Sequence, residues 1–318
     1  MPRSLILGVD GQDGSYLAES LLRRGHAVTG IGRGRAGRFV EPSAAFLYRT
    51  CDLRDSEALA NLVGECDPDF AFHCAAVHGP AGFQYEPVWR DALAVNTGAL
   101  HVLLERARTA RRELRVIYFG SAKMYSAPLA GTIDESTAVR ASCLYGITKI
   151  ASRDMLAYYR RQHNVNATNL VFFTHDSPRR PASFFMPKIA RTIAAARASD
   201  RHQERFATLD FRNDWSDAIE LMEIVADIAE TSSAPELLIA SGTTWHGREA
   251  AAHLFARYGL DASRHIIEDS QGDAGPDFRV CLDKLEAGIG RRPQRTIVDL
   301  VASLMAGIET QTAGSAAQ

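Results

Sequence analysis

The chain has little cysteine, and what it has forms no pattern. Its five cysteines, Cys51, Cys66, Cys74, Cys143 and Cys281, are odd in number and include no C-x-x-C pair. That argues against a disulfide scaffold or a zinc site and for a reducing compartment, with the cytoplasm as the expected location. No run approaches the ~20 apolar residues of a membrane span, and no charged leader with an apolar core opens the sequence, so a soluble, unexported protein with no membrane partner is expected. Neither sign of charge dominates: 36 Lys and Arg against 38 Asp and Glu leave a net charge of −2. Such a balance gives no electrostatic footprint for nucleic acid. The ten histidines show no H-E-x-x-H or comparable spacing, so no metal ligands are assigned. What is present is 46% hydrophobic residues over 318 positions, enough to bury a large core in one big domain or two lobes.

Strand-like runs at 4–7, 26–31, 46–51, 70–74, 114–119 and 167–173 are separated mostly by helical patterns, the alternation of a parallel α/β sheet. The spacing then predicts helices over 184–198 and 215–231, a polar loop at 200–204 and a late strand at 236–240 that can return to the first lobe. The expected architecture is a Rossmann-type parallel sheet flanked by helices, with a smaller C-terminal substrate lobe. Residues 1–174 and the return strand form the first part and 175–308 mainly the second. Residues 309–318, rich in Ala, Thr, Gly and Gln, read as a frayed, flexible tail.

The first strand runs into Gly8-Val9-Asp10-Gly11-Gln12-Asp13-Gly14, which spaces glycines 8, 11 and 14 as G-x-x-G-x-x-G before a helix carrying Leu17, Leu21 and Leu22 on one face. Glycines there permit a tight turn, close approach to a pyrophosphate and close helix packing, and the helix N-terminus offers free N–H groups. A nicotinamide dinucleotide is the expected cofactor. Ligands of such sheets lie beyond the strand carboxyl ends. After the second strand stand Arg33 and Arg35, which either pair with a 2′-phosphate, favouring NADP over NAD, or form a solvated basic loop. Asp52 and Leu53 after the third strand are placed to meet the adenine, although an aspartate there is also a common turn former.

Tyr145 and Lys149 form Y-x-x-x-K, which puts both on one helical face. A lysine so placed can lower the tyrosine pKa, and the tyrosine can then take a proton from an alcohol as hydride leaves the same carbon. Ser121, after the fifth strand, can hold the same oxygen or serve as a cap. Cys143 reads as a small packed thiol rather than a reactive one.

Together these residues resemble the extended short-chain dehydrogenase/reductase superfamily. Gly11-Gln12-Asp13-Gly14-Ser15-Tyr16-Leu17-Ala18-Glu19 and His175-Asp176-Ser177-Pro178-Arg179-Arg180 are similar to the glycine turn and the His-Glu-Ser-Pro-Arg-Arg segment of GDP-mannose 4,6-dehydratases, and Lys188-Ile189 and Asp214-Trp215 match in order and spacing. The resemblance implies an NADP-binding lobe holding Gly8, Gly11, Gln12, Asp13, Gly14, Arg33, Asp52, Leu53 and Ala75, with Tyr145 and Lys149 at the nicotinamide end. It implies a nucleotide-diphosphate sugar as substrate, oxidation at carbon 4, loss of water across carbons 5 and 6 with internal hydride return, and a homodimer or homotetramer.

Departures from the family fall at the site. The family reads Thr-Ser-Glu-Leu-Tyr after the fifth strand, its Glu acting as the base at carbon 5; this chain has Ser121-Ala122-Lys123-Met124-Tyr125. Lys123 is the candidate base there if burial or a neighbouring cation lowers its pKa. The family's Asn before the His-Glu-Ser segment is Thr174, and the arginine of its Arg-Asp-Trp is Asn213, with Arg212 one position earlier. Diphosphate binding can then pass to Lys188 and Arg212, unless both are solvated surface charges. His78, in the loop after the fourth strand, is either a proton donor near neutral pH or polar surface. Dehydration is the leading reading. Epimerisation, 4-ketoreduction, 5,6-dehydration or a silent NADP-binding protein are the alternatives.

Overall fold

The computed structural model describes residues 1–80, 82–125 and 127–316, with side chains to residue 310. Its first half builds strands β1 (Arg3–Leu7), β2 (Ala27–Gly32), β3 (Phe46–Thr50), β4 (Phe70–His73) and β5 (Arg115–Ser121), then the short β6 (Gly131–Ile133) and β7 (Ala167–Phe172). The second half adds β8 (Thr174–Asp176), β9 (Glu204–Phe206), β10 (Arg212–Asp217), β11 (Glu236–Ile239), β12 (Thr244–His246), β13 (Ile266–Glu268) and β14 (Phe278–Val280). Seven of these pair in the order β3-β2-β1-β4-β5-β7-β11, every neighbour parallel. The return strand expected near 236–240 is therefore present as β11. β5 and β7 are buried on both faces almost throughout, as a sheet covered by helices on both sides requires.

The helices are α1 (Gln12–Arg23), α2 (Ser56–Cys66), α3 (Trp89–Leu93), α4 (Ala99–Thr109), α5 (Leu144–His163), α6 (Phe185–Ala198), α7 (Ala218–Thr231), α8 (Gly247–Ala256), α9 (Ala262–His265), α10 (Asp283–Ile289) and α11 (Ile297–Ala316). Leu17 and Leu21 of α1 and Leu221 and Val225 of α7 pack on one face of the sheet. Leu59 and Val63 of α2, Leu100 and Leu104 of α4 and Leu156 of α5 cover the other. A separate cluster joins Ile189 and Ile193 of α6, Leu254 of α8 and Leu300 and Val301 of α11 beside the small sheet β12-β10-β8. Among the described residues no helix is long and apolar enough to cross a membrane, and the cysteines are free thiols.

Two expectations are corrected. The helix expected from Trp215 starts at Ala218, because residues 212–217 pair with both β8 and β12 and the Asp217 carboxylate accepts from the N–H groups of Ile219 and Glu220, fixing the helix start. Residues 309–316, expected as part of a frayed tail, are instead the end of α11 as far as Ala316; residues 317–318 lie outside the described residues. Strand order reverses between β1 and β4, and the crevice this leaves at the carboxyl ends holds the site.

Candidate active site

The glycine turn is a cradle that side chains would fill. Gly8 has φ +89°, and a Cβ there would stand 2.8 Å from the Ala75 backbone; a Cβ on Gly14 would stand 2.3 Å from the Gly8 carbonyl oxygen. Gly11 is the N-cap of α1 and no side chain caps it, so the first N–H groups of the helix are left for an outside acceptor. Arg33 and Arg35 follow β2 and are exposed. The Asp10 carboxylate reaches the end of β2, where it accepts from the Tyr48 hydroxyl at 2.7 Å and the Arg38 N–H at 3.0 Å. The sequence reading did not single out Asp10. Asp52 is clasped by Arg54 at 2.6 Å, which holds its carboxyl down at about 2, and Leu53 is buried beside it.

Gln12 and Asp13 were expected at the cofactor, but their side chains are engaged within the protein. Gln12 donates to Asp13 at 2.9 Å and accepts from Ser177 at 2.8 Å. Asp13 accepts from His175 Nε2 at 3.1 Å, while His175 Nδ1 faces the Phe173 carbonyl at 2.8 Å. Both ring nitrogens thus meet oxygen acceptors, an arrangement that suits the imidazolium. Arg179 donates to Ser15 at 2.9 Å, pairs with Glu19 and lies over the Tyr16 ring at 3.9 Å. The two segments that carry the family likeness therefore interlock side chain by side chain.

Ser121, Tyr145 and Lys149 converge. The single 3-10 turn Ala122–Met124 packs on the first turn of α5, an approach that only glycine permits: a Cβ on Gly146 would lie 2.2 Å from the Lys123 carbonyl oxygen. That contact brings Ser121 into hydrogen-bonding range of the Tyr145 hydroxyl. Ser121 also caps the turn by accepting from the Lys123 N–H at 3.2 Å, the second of its two expected roles. Lys149, 1% exposed, donates from Nζ to the Phe119 carbonyl at 2.6 Å and lies 5.4 Å from the Tyr145 ring centre. Its burial takes it down to about 7, against the pull of Cys74 and Asp13. Burial also pushes the Tyr145 hydroxyl up, with Ser121 and Arg180 opposing, so the expected net lowering of the tyrosine is absent from this arrangement. Cys143 caps α5, its Sγ accepting from the Gly146 N–H at 3.5 Å.

Lys123 is exposed, so burial, one of the two conditions named for its acting as a base, is not met. The His78 ring stacks on Tyr145 at 4.5 Å. Desolvation by its neighbours and the nearby charges of Arg180, Lys149 and Lys123 push the imidazole below its ordinary value, and the residue is exposed. Arg180, quoted in the motif but not assigned a role, lies over Phe184 at 3.7 Å and 3.3 Å from Asp176, a fully buried carboxylate. Asn96, unnoticed in the sequence, accepts from the Val77 N–H at 2.8 Å and donates to Thr148 at 3.1 Å, tying the loop after β4 to α5.

On the far side, Thr174 and Asn213, the two positions that depart from the family, bond to each other at 2.8 Å. Lys188 pairs with Glu204 at 3.2 Å and Arg212 with Asp277 at 2.7 Å. Asp214 accepts from the Ser241 and Gly242 N–H groups, both at 2.8 Å; burial raises it to about 6.

The parallel sheet with its glycine turn, and the Ser–Tyr–Lys group at the switch point, define an extended short-chain dehydrogenase/reductase, an enzyme of the nucleotide-sugar dehydratase and epimerase kind. The family model for GDP-mannose 4,6 dehydratase matches residues 5–279, and the chain belongs to that family. It is 28% identical over 271 residues to GDP-mannose 4,6 dehydratase 2 of Caenorhabditis elegans, the match covering 80% of this chain and 70% of that protein. In fold it is similar to DesIV, a dTDP-glucose 4,6-dehydratase of Streptomyces venezuelae solved with NAD bound, at TM-score 0.81 and 19% identity over 98% of each chain. It is similar also to RMD of Pseudomonas aeruginosa complexed with NADPH, at TM-score 0.79 and 18% identity over 98% of this chain and all of that one.

Proposed function

We propose that the chain binds NADP at the glycine turn and exchanges hydride with carbon 4 of a nucleotide-diphosphate sugar, and that it then eliminates water across carbons 5 and 6. The observation that carries this reading is the convergence of Ser121, the Tyr145 hydroxyl and buried Lys149, with the α1 N-terminus left uncapped by any side chain. A nicotinamide cofactor, which the fold neighbours hold as NAD or NADPH, supplies the hydride acceptor when bound. Gly8, Gly11 and Gly14 with the α1 N–H groups would hold its pyrophosphate, Ala75 would line it, and Arg33 would meet a 2′-phosphate, which favours NADP over NAD. Lys149 would meet the nicotinamide ribose. Ser121 would donate to the carbon-4 oxygen and Tyr145 would accept its proton. Tyr145 would do so as the phenolate, becoming the phenol, and the charge on Lys149 would stabilise that phenolate before the transfer.

In this reading residues 175–308 form the main part of the substrate side, with His78, Thr174, Lys188 and Arg212 around the sugar nucleotide, and Lys123 is the base at carbon 5. The exposure of Lys123 and the methyl side chain of Ala122 favour a second reading, in which the carbon-4 chemistry serves a 4-ketoreductase or epimerase and no water leaves. Exposed Leu93, Ile147 and Tyr158, the last two on one face of α5, support a homodimer or homotetramer.

Incubation of nucleotide sugars with NADP, and of 4-keto nucleotide sugars with NADPH, followed by mass spectrometry, separates the two readings: loss of one water in the first marks dehydration, and an unchanged mass in the first or the gain of two hydrogens in the second marks the alternative. In single-turnover experiments Tyr145→Phe is expected to abolish reduction of the bound cofactor, a loss of at least about a thousandfold. Reduction at the wild-type rate would remove Tyr145 from the chemistry.

A further inference from the structure

The loop after β4 leads to a tyrosine, Tyr85, that the reaction above leaves unused beside His78. The Tyr85 hydroxyl lies 2.7 Å from His78 Nδ1, and the Gly79 N–H is directed at the same phenol oxygen. An oxygen that accepts from an amide still has its own proton to place, and the acceptor facing it among the described residues is Nδ1. Nδ1 then receives, and the ring carries its proton on Nε2, for which no hydrogen bond is found among the described residues.

The surroundings hold this arrangement in register with the catalytic tyrosine. The Tyr85 ring lies nearly parallel to Tyr145, 18° between planes and 5.8 Å between centres. Phe83 meets Tyr85 edge-on at 4.8 Å, and its ring occupies the space that a Cβ on Gly79 would need, 2.2 Å away. The imidazole itself is on the open side of the site, against Tyr145. Lys123, Lys149 and Arg180 nearby disfavour a second proton on it.

We propose that Tyr85 is a positioning residue that fixes His78 as its Nε2–H tautomer, and that His78 uses this N–H to hold a sugar oxygen beside the carbon on which Tyr145 acts. The inference rests on the reaction proposed above and adds to it a neutral donor. A neutral imidazole N–H holds an oxygen without protonating it, so the alcohol proton still goes to Tyr145 and His78 ends the step unchanged.

The test uses the full-length protein labelled with nitrogen-15 at histidine, with the His78 signal assigned by its loss in His78→Gln. Long-range proton–nitrogen correlation at neutral pH is expected to show His78 in the Nε2–H form in wild type and as a mixture in Tyr85→Phe. Single-turnover reduction of NADP by GDP-mannose is expected to fall at least about tenfold in Tyr85→Phe, with the dependence on sugar concentration little changed. An Nδ1–H tautomer in wild type overturns the proposal whatever the activity, and so does an Nε2–H tautomer accompanied by a wild-type rate in Tyr85→Phe. Absence of reduction in the wild type with every nucleotide sugar, while His78 is in the Nε2–H form, overturns the assigned reaction and leaves the tautomer assignment supported.

Discussion

At the residue scale the strongest electrostatic feature is the Asp13–His175 pair. Burial works against both charges, yet the His175 charge and the bonds from His175 and Gln12 take the Asp13 carboxyl down to about 2, and Asp13 raises His175 above its ordinary value. A depressed carboxylate stabilises above its unfolded pKa and loses that contribution as pH falls toward the folded one. A raised histidine stabilises fully below about 6.5 and loses its contribution as pH rises through the folded value. The pair therefore contributes most between about pH 4 and 6.5. In His175→Asn the thermal midpoint is expected to lie furthest below wild type in that window, with the gap closing in alkali; a gap independent of pH would show that the pair is not ionised. Arg33 carries a second prediction. Arg33→Ala should cost NADP at least about tenfold in affinity while leaving NAD nearly unchanged. Equal losses for the two cofactors, measured by calorimetry, would place the 2′-phosphate elsewhere.

At the element scale the site depends on how closely the turn after β5 approaches α5. In Gly146→Ala the new methyl would lie 2.2 Å from the Lys123 carbonyl oxygen, so the turn must shift and carry Ser121 with it. Because a displacement of about 1 Å can cost on the order of a hundredfold in rate, single-turnover reduction should fall at least about tenfold while the protein stays folded. A rate within about twofold of wild type would mean that this contact does not place Ser121. Such dependencies mark the limit of the sequence as a guide. The alternation of apolar runs and helical patterns made the parallel sheet and its return strand legible, and the spacing of Gly8, Gly11 and Gly14 and of Tyr145 and Lys149 pointed to the glycine turn and to the pair that the fold sets side by side in the candidate site. The start of α7 was misread because the apolar period of 215–231 continues through Trp215, whereas pairing with Thr174 of β8 draws that residue into a strand. The partners of Gln12 and Asp13 were invisible for a different reason: Ser177 lies 165 residues from Gln12 in the chain, and no local period reports so distant a contact. Nor could spacing reveal that Tyr85 would face His78.

At the scale of the whole molecule, the glycine turn and the chain beyond β7 are not independent modules. Gln12, Asp13, Ser15 and Glu19 on α1 are bonded to His175, Ser177 and Arg179, so the helix that offers its N–H groups to a pyrophosphate is fastened to the start of the second half. Its thermodynamic consequence is cooperativity between two ligands that need not touch at this junction. A cofactor that orders α1 also orders the segment that enters the substrate side, and reciprocity requires the sugar nucleotide to tighten the cofactor by the same factor. Calorimetric titration of each ligand in the presence and absence of the other should give matching enhancements of about fivefold or more, shrinking toward none in Arg179→Met. Independent affinities in the wild type would mean that the junction holds the fold together and transmits nothing. If the coupling is present, an empty glycine turn leaves the substrate side weakened, and the enzyme engages its sugar as a loaded holoprotein.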